Sequence, residues 1–211
     1  MRRLPVYLLL DTSGSMKGEP IESVKVGLQT MISTLRQDPF ALESVYLSII
    51  TFDRDVHQLM PLTDLETFQL PDIVTPESGP THLGAALEVL CQRVDVEVSQ
   101  TSGEAKGDWR PLVFVMTDGS PSDVQKFREM LPVMKARNFA SVVACAAGPK
   151  AKDSYLKELT DHVVSLDTTD SVTFQQFFKW VSASVSAGNR SMGAGEATPL
   201  PPPPPCIQIV F

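Results

Sequence analysis

The sequence predicts an α/β fold in which a mostly parallel central sheet, with one antiparallel edge strand, carries helices on both faces. Three observations predict it. Short, continuously apolar runs alternate with segments whose apolar residues recur at helical spacing. Two of the apolar runs end abruptly in an aspartate, Asp11 and Asp118. One pair of runs, Val45–Phe52 and Val56–Leu62, is separated by only Asp53-Arg54-Asp55, too short for a crossover helix.

Leu4–Leu10 reads as a fully buried strand. Ile21, Val24, Leu28, Met31, Ile32 and Leu35 then mark a helix, with Pro20 suited to its first turn. Val45–Phe52 has the apolar density of a central strand, and Val56–Leu62 returns antiparallel at an edge. Leu83, Leu87, Leu90, Val94 and Val98 form the apolar side of the next helix, followed by a polar loop over Ser99–Asp108. Leu112–Met116 is the second strongly buried strand. Phe127, Met130, Leu131 and Met134 mark a helix that Asp123 should cap and that Pro132 should bend or end early. Ser141–Ala147 is a strand, Ser154–Thr160 a short helix and Val163–Leu166 a short strand. The last helix has Phe174, Phe177, Phe178, Val181 and Val185 on its apolar side and Asp170 or Ser171 as its cap. Methionines at helical spacing belong to the core.

Composition narrows the function classes. The 211 residues suffice for one sizeable domain, and 43% apolar with 20% charged residues is ordinary for a globular protein. A formal net charge of −7 argues against nucleic acid or an anionic membrane as the partner. No stretch is apolar for long enough to cross a bilayer. Arg2-Arg3 precedes an apolar run, but the run stops at Asp11 with no small-residue cleavage site, so no export signal is expected. Cys91, Cys145 and Cys206 are odd in number and far apart, so no disulfide framework is expected; Cys91 and Cys145 read as buried thiols, and a reducing, cytoplasmic setting fits.

Residues 1–187 are expected to form the folded domain, and 188–211 a linker, the polyproline run Pro201–Pro205 and a short C-terminal strand. Ile207-Gln208-Ile209-Val210-Phe211 is too apolar for a bare tail. It should add to a sheet edge or lie in a groove, of this chain or of a partner.

The chemistry is concentrated after the first strand. In Asp11-Thr12-Ser13-Gly14-Ser15 one carboxylate and two hydroxyls can converge if the chain curls back. Oxygen donors of this kind suit a small hard cation. Asp118 ends another buried strand ahead of Gly119 and reaches the same crevice if the two strands are neighbours. Thr81 lies in the loop Ser78-Gly79-Pro80-Thr81-His82, just before a helix. Asp11, Ser13, Ser15, Thr81 and Asp118 thus form a candidate Mg²⁺ set, with Mn²⁺ or Ca²⁺ as alternatives. The hydroxyls would stand nearest the ion, and one or both carboxylates would act through water. A cation held mainly by neutral hydroxyls keeps its attraction for an anion from another molecule. Asp53 and Asp55 read as a solvated turn rather than a second cation site. His82 reads as a loop residue, His57 and His162 as structural, and Trp109 as a lid on the core at the far end of the sheet.

These five residues, spaced as they are, resemble the metal-ion-dependent adhesion site of von Willebrand factor A domains over about Val6 to Val185. The resemblance implies a Rossmann-like sheet and a non-catalytic, metal-dependent protein-binding surface whose metal is completed by an acidic residue of the partner. Arg2-Arg3-Leu4-Pro5-Val6-Tyr7, Gly107-Asp108-Trp109-Arg110-Pro111-Leu112-Val113-Phe114 and Thr117-Asp118-Gly119-Ser120-Pro121 are further similar to bacterial TerY-like proteins. That likeness implies a tellurium-resistance or stress-response complex linked to kinase and phosphatase partners. Two alternatives stand beside it. One is a phosphohydrolase using the strand-end aspartate as nucleophile, although Ser13 occupies the place where such chemistry wants a second acid and no lysine stands in a phosphate-holding motif. The other is a scaffold acting through its proline-rich tail.

Overall fold

The computed structural model describes residues 2–103, 106–148, 151, 153–166, 168, 170–191, 201–205 and 207–210. Most of the expected linker (192–200) and Cys206 lie outside the described residues. Strands β1 (Leu4–Asp11), β2 (Val45–Phe52), β3 (Val56–Asp64), β4 (Leu112–Thr117), β5 (Ser141–Ala147), β6 (His162–Leu166) and β7 (Ile207–Val210) form one sheet in the order β3-β2-β1-β4-β5-β6-β7. β1, β2, β4, β5 and β6 are parallel, and β3 pairs antiparallel with β2 at one edge.

At the opposite edge β7 pairs antiparallel with β6, a second antiparallel strand beside the expected one. This strand is the C-terminal segment whose apolar character predicted a docked tail. Its place and direction are set by the free edge of β6, which no pattern within the segment encodes.

The sheet is buried on both faces because its central strands have no polar face. Along β1, Leu4, Val6, Leu8 and Leu10 enter one core, while Tyr7 and Leu9 enter the other. Helices α1 (Glu19–Arg36), α2 (Pro39–Ser44) and α6 (Ser171–Ser191) cover the first face. Helices α3 (Leu83–Glu97), α4 (Val124–Ala136) and α5 (Asp153–Leu159) cover the second. Each fully buried Leu, Val or Phe contributes about 1.5–3 kcal/mol, so the two cores supply most of the stabilisation. Cys91 and Cys145 are buried free thiols, and burial raises both above the usual thiol range.

Three local differences have physical causes. Helix α2 has too few residues to show a period, yet it starts as Asp38-Pro39 dictates. The Asp38 carboxylate accepts the Phe40 N–H at 3.1 Å, and Pro39 fills the first turn. Helix α4 continues past Pro132 to Ala136 instead of ending there. Pro132 is exposed, so the carbonyl four residues back that its ring leaves without an N–H is on the wet side of the helix. Helix α6 is capped by Asp170, whose carboxylate accepts the Thr173 N–H at 2.9 Å, and it continues to Ser191, past the expected end near Ser186.

The chain reverses its progress across the sheet between β1 and β4. From β1 it builds outward through β2 to β3, then returns to place β4 on the other side of β1. The crevice beyond the carboxyl ends of β1 and β4 is therefore the switch point at which such sheets bind ligands. The connection from β3 to α3 reaches this rim because Leu65, Phe68 and Ile73 anchor it in the first core. Arg36 also donates to the Leu65 and Phe68 carbonyls at 2.9 and 2.5 Å. Trp109 lies at the amino end of β4, half-buried against the first core, with the Arg2 guanidinium 3.6 Å above its ring. No helix among the described residues is long and apolar enough to cross a membrane.

Candidate functional site

Asp11 is the last residue of β1 and is 1% exposed. One carboxylate oxygen accepts the Ser13 N–H at 2.8 Å, which curls the chain back at the strand end. The other accepts the Thr117 hydroxyl, from the last residue of β4, at 2.5 Å. Thr117 in turn accepts the Gly119 N–H at 3.2 Å, so a single buried hydroxyl joins Asp11 to the turn that carries Asp118. Burial raises the Asp11 carboxyl to about 6. The Ser13 and Thr117 hydrogen bonds pull against that rise, and the nearby Asp118 charge adds to it.

Ser13 and Ser15 bracket the start of a 3₁₀ turn, Gly14–Met16, closed by the Met16 N–H to the Ser13 carbonyl at 2.9 Å. The two hydroxyl oxygens are 3.2 Å apart, and the exposed Ser15 donates to Asp118 Oδ1 at 2.8 Å. A hydroxyl carries one proton, so Ser13 donates to Ser15, and both oxygens keep lone pairs for another partner. Gly14 is required here by contact. A Cβ at this residue would sit 2.6 Å from the Ser78 Cα, so only glycine lets the 77–79 segment pack against the turn. Lys17 and Glu77 form an ion pair across the same junction.

Thr81 is 7% exposed and stands two residues before α3. Its hydroxyl borders the Asp118 turn, since a Cβ at Gly119 would lie 3.4 Å from Thr81 Oγ1. Two neighbours hold its backbone. The Thr81 N–H donates to Ser122 Oγ at 3.0 Å, and the Ser122 N–H donates to the Thr81 carbonyl at 2.8 Å. Asp123 stands at the N-cap of its own helix, as expected, and its carbonyl accepts the Phe127 N–H at 2.9 Å. Its carboxylate makes no cap bond there and instead accepts the Gly84 and Ala85 N–H groups at 3.1 and 2.8 Å, so it caps α3 from across the crevice, where His82 makes no side-chain cap. The loop that carries Asp118 therefore also fixes the backbone of Thr81.

On the other side, the expected solvated turn at Asp53 is a tie. Asp53 accepts the Thr12 hydroxyl at 2.9 Å and the Asp55 N–H at 3.1 Å, and its carbonyl accepts the His82 N–H at 2.9 Å. The His82 ring contacts the Arg54 carbonyl at 2.8 Å, a loop role. His57 and His162 are exposed on β3 and β6. The five residues singled out in the sequence thus lie along one rim. Thr117, Thr12, Asp53, Ser122 and Asp123, which hold that rim together, were given no such role. Thr117 alone had a legible signal, a polar residue at the end of an apolar strand and next to the acid.

The family model for the von Willebrand factor type A domain matches residues 6–180. The chain belongs to the von Willebrand factor type A family. Solved structures share this fold at low identity. Proximal thread matrix protein 1 from the mussel byssus is 15% identical with a TM-score of 0.63, over 88% of this chain and 48% of that one. The ArnB paralog VWA2 from Sulfolobus acidocaldarius is 18% identical with a TM-score of 0.61, over 87% of this chain and 45% of that one. A von Willebrand factor type A protein from Catenulispora acidiphila is 14% identical with a TM-score of 0.62, over 88% and 43%. This chain therefore spans less than half the length of these neighbours. The mussel protein has also been solved with a zinc-occupied MIDAS motif. A search of curated proteins found no match.

The rim of this von Willebrand factor type A domain fits a divalent cation by its donor set. Adjacent ligands of an octahedral ion at 2.0–2.1 Å lie about 2.9 Å apart. The Ser13–Ser15 and Ser15–Asp118 oxygen separations, 3.2 and 2.8 Å, bracket that value. Two carboxylates share the crevice, and the buried one is held above its ordinary value with no cation beside it, a cost that a bound cation removes. No group of three or more His, Cys, Asp or Glu that could hold a metal occurs among the described residues, so a cation here depends on hydroxyl oxygens.

Proposed function

We propose that this protein is a non-catalytic, divalent-metal-dependent protein-interaction module. Asp11, Ser13, Ser15, Thr81 and Asp118 would hold Mg²⁺, with Mn²⁺ or Ca²⁺ as alternatives. An acidic residue of a protein partner, or a phosphate group on it, would complete the coordination. The observation that carries this reading is the run of oxygens Ser13–Ser15–Asp118, at 3.2 and 2.8 Å, opening to solvent above a buried carboxylate. When bound, the cation supplies a fixed positive charge with a coordination position to spare.

The protein's residues do the remaining work. Thr117 and the Ser13 N–H orient Asp11, and Ser122 and Asp53 fix the two sides of the Thr81 loop. The hydroxyls contribute donors without adding negative charge, which leaves the centre attractive to an anion. Membership of the von Willebrand factor type A family supports a role in protein association, as does the rim's lack of a second acid two residues after Asp11.

The finer assignment rests on the sequence likeness to TerY-like proteins. On that likeness the module would act in the cytoplasm, in a tellurium-resistance or stress-response complex with kinase- or phosphatase-linked partners. The folded domain would be residues 1–187, with the remaining residues as an appendage. A pull-down from the source cell in Mg²⁺ against EDTA, with Asp11→Ala as control, tests the reading. Partners retained in Mg²⁺ and lost both in EDTA and in the variant are expected. Identical partner sets under all three conditions contradict it.

A further inference from the structure

The family match ends at residue 180, and the chain beyond it folds back onto the domain in two places. Trp180, on α6, is 5% exposed, and its indole N–H donates to the Pro201 carbonyl at 2.9 Å. A buried indole N–H needs an acceptor, and here the tail provides it. A proline run is suited to this, because its residues have no N–H and their carbonyls stay unpaired within the run. Pro202 and Pro204 line an open groove of about 430 Å³ with Gln176, Lys179, Trp180 and Ala183. Pro202 and Pro205 are exposed while Pro201, Pro203 and Pro204 are half-buried, as expected when a helix of three residues per turn lies along a groove.

The second contact is the strand. Leu166↔Ile207, Ser165↔Gln208, Val164↔Ile209 and Val163↔Val210 pair antiparallel. Without β7, β6 would present its outer row of N–H and C=O groups to solvent. Four residues of strand are marginal alone, and so is one indole hydrogen bond. Placed in series they reinforce each other, because the proline run is already extended and little entropy is lost when the strand registers.

We propose that Trp180 with the groove beside it, together with the edge of β6, forms one composite docking site for a proline run followed by a β-strand. Residues 201–210 of the same chain fill it, and the same segment of a second copy can replace them. The tether, residues 192–200, has nine residues and gives the chain's own tail an effective concentration in the millimolar range. The tail of a second copy competes only when that tether is cut or the local protein concentration is comparable.

The test keeps every residue of the chain. A protease site is placed within 192–200, the protein is cut, and the nicked complex is analysed by gel filtration in EDTA, so that the outcome is independent of any metal at the other site. At about 50 µM, in the affinity range expected of such contacts, the tail should co-elute with the body, and a labelled peptide of residues 201–211 should exchange into it. Trp180→Phe should weaken retention about fivefold, the equivalent of one neutral hydrogen bond. Gln208→Pro lies on the tail, where the side chain is exposed, so it cannot unfold the body. With Ile209→Pro added, one of the two adjacent N–H groups removed must face β6, so this variant should weaken retention at least about tenfold by breaking the ladder. The proposal is overturned if the wild-type tail separates from the nicked body at that concentration, or if both variants retain it as the wild type does.

Discussion

Replacing Asp123 with alanine tests whether the two loops of the rim act as one unit. The carboxylate accepts two N–H groups of the first turn of α3, at 3.1 and 2.8 Å, and the N-cap residue His82 supplies no side-chain cap of its own. Loss of such a cap costs about 1 kcal/mol, and loss of a negative charge at a helix N-terminus about 0.3–1 kcal/mol more. Asp123→Ala should therefore destabilise the fold by about 2 kcal/mol, a fall in Tm of about 4–8 °C for a chain of this size. Asp123→Asn keeps one acceptor and should lose about half as much. Urea unfolding measures the total, and amide exchange locates it. Protection should fall at Gly84 and Ala85. If the Asp123 side chain capped its own helix, protection would fall in the first turn of α4 instead. Unchanged exchange at Gly84 and Ala85, or a midpoint equal to that of the wild type, would refute the cross-crevice cap. Because Ser122 holds the Thr81 backbone from the same loop, Asp123→Ala should also weaken divalent-metal binding, by about 10- to 100-fold as for other residues that orient ligands.

Further outcomes are expected at the rim itself. Ser13→Ala and Thr81→Ala should each weaken Mg²⁺ binding in calorimetry on EDTA-treated protein while leaving the unfolding midpoint within about 1 kcal/mol of wild type, since each removes a single hydroxyl. Gly14→Ala forces a Cβ to within 2.6 Å of the Ser78 Cα, so the loop must shift, and both metal affinity and stability should fall, the latter by about 1–3 kcal/mol. In metal-free protein the Asp11 carboxyl is raised to about 6 from its ordinary 3.8. A raised acid favours the protonated form in the folded state, so stability should fall as pH rises between about 4 and 6, by about 3 kcal/mol in all. Asp11→Asn should remove that slope, and saturating Mg²⁺, which favours the carboxylate, should suppress it. A difference in metal-free unfolding free energy, wild type minus Asp11→Asn, that rises over this pH window would contradict the assignment.

The sheet was legible because its central strands are continuous apolar runs buried on both faces. β2 and β5 end where the apolar runs end, and the other strands found in the sequence differ only at their termini. Helix α2 was not legible because six residues cannot display a period, and α4 outlasts the early end that Pro132 suggests because that proline is tolerated where its face is wet. At the site, the residues offered to solvent or to one another had recognisable types and spacing. Of the residues that hold them, only Thr117 did. Asp123 and Ser122 act on a segment about 40 residues away in sequence, and Asp53 joins three loops. Such ties depend on which strands are neighbours, and a local pattern carries no record of that. The tail's strand character was legible, whereas its attachment through Trp180 was hidden because that tryptophan reads as one more apolar residue of a helix.

The most direct measurement is calorimetric titration of Mg²⁺ into EDTA-treated protein, repeated with Asp11→Ala, Ser13→Ala and Thr81→Ala. The account predicts one saturable site in the wild type, abolished by the first substitution and weakened by the other two, in proteins that remain folded. A wild type that takes up no divalent ion, or four titrations that overlap, would contradict it.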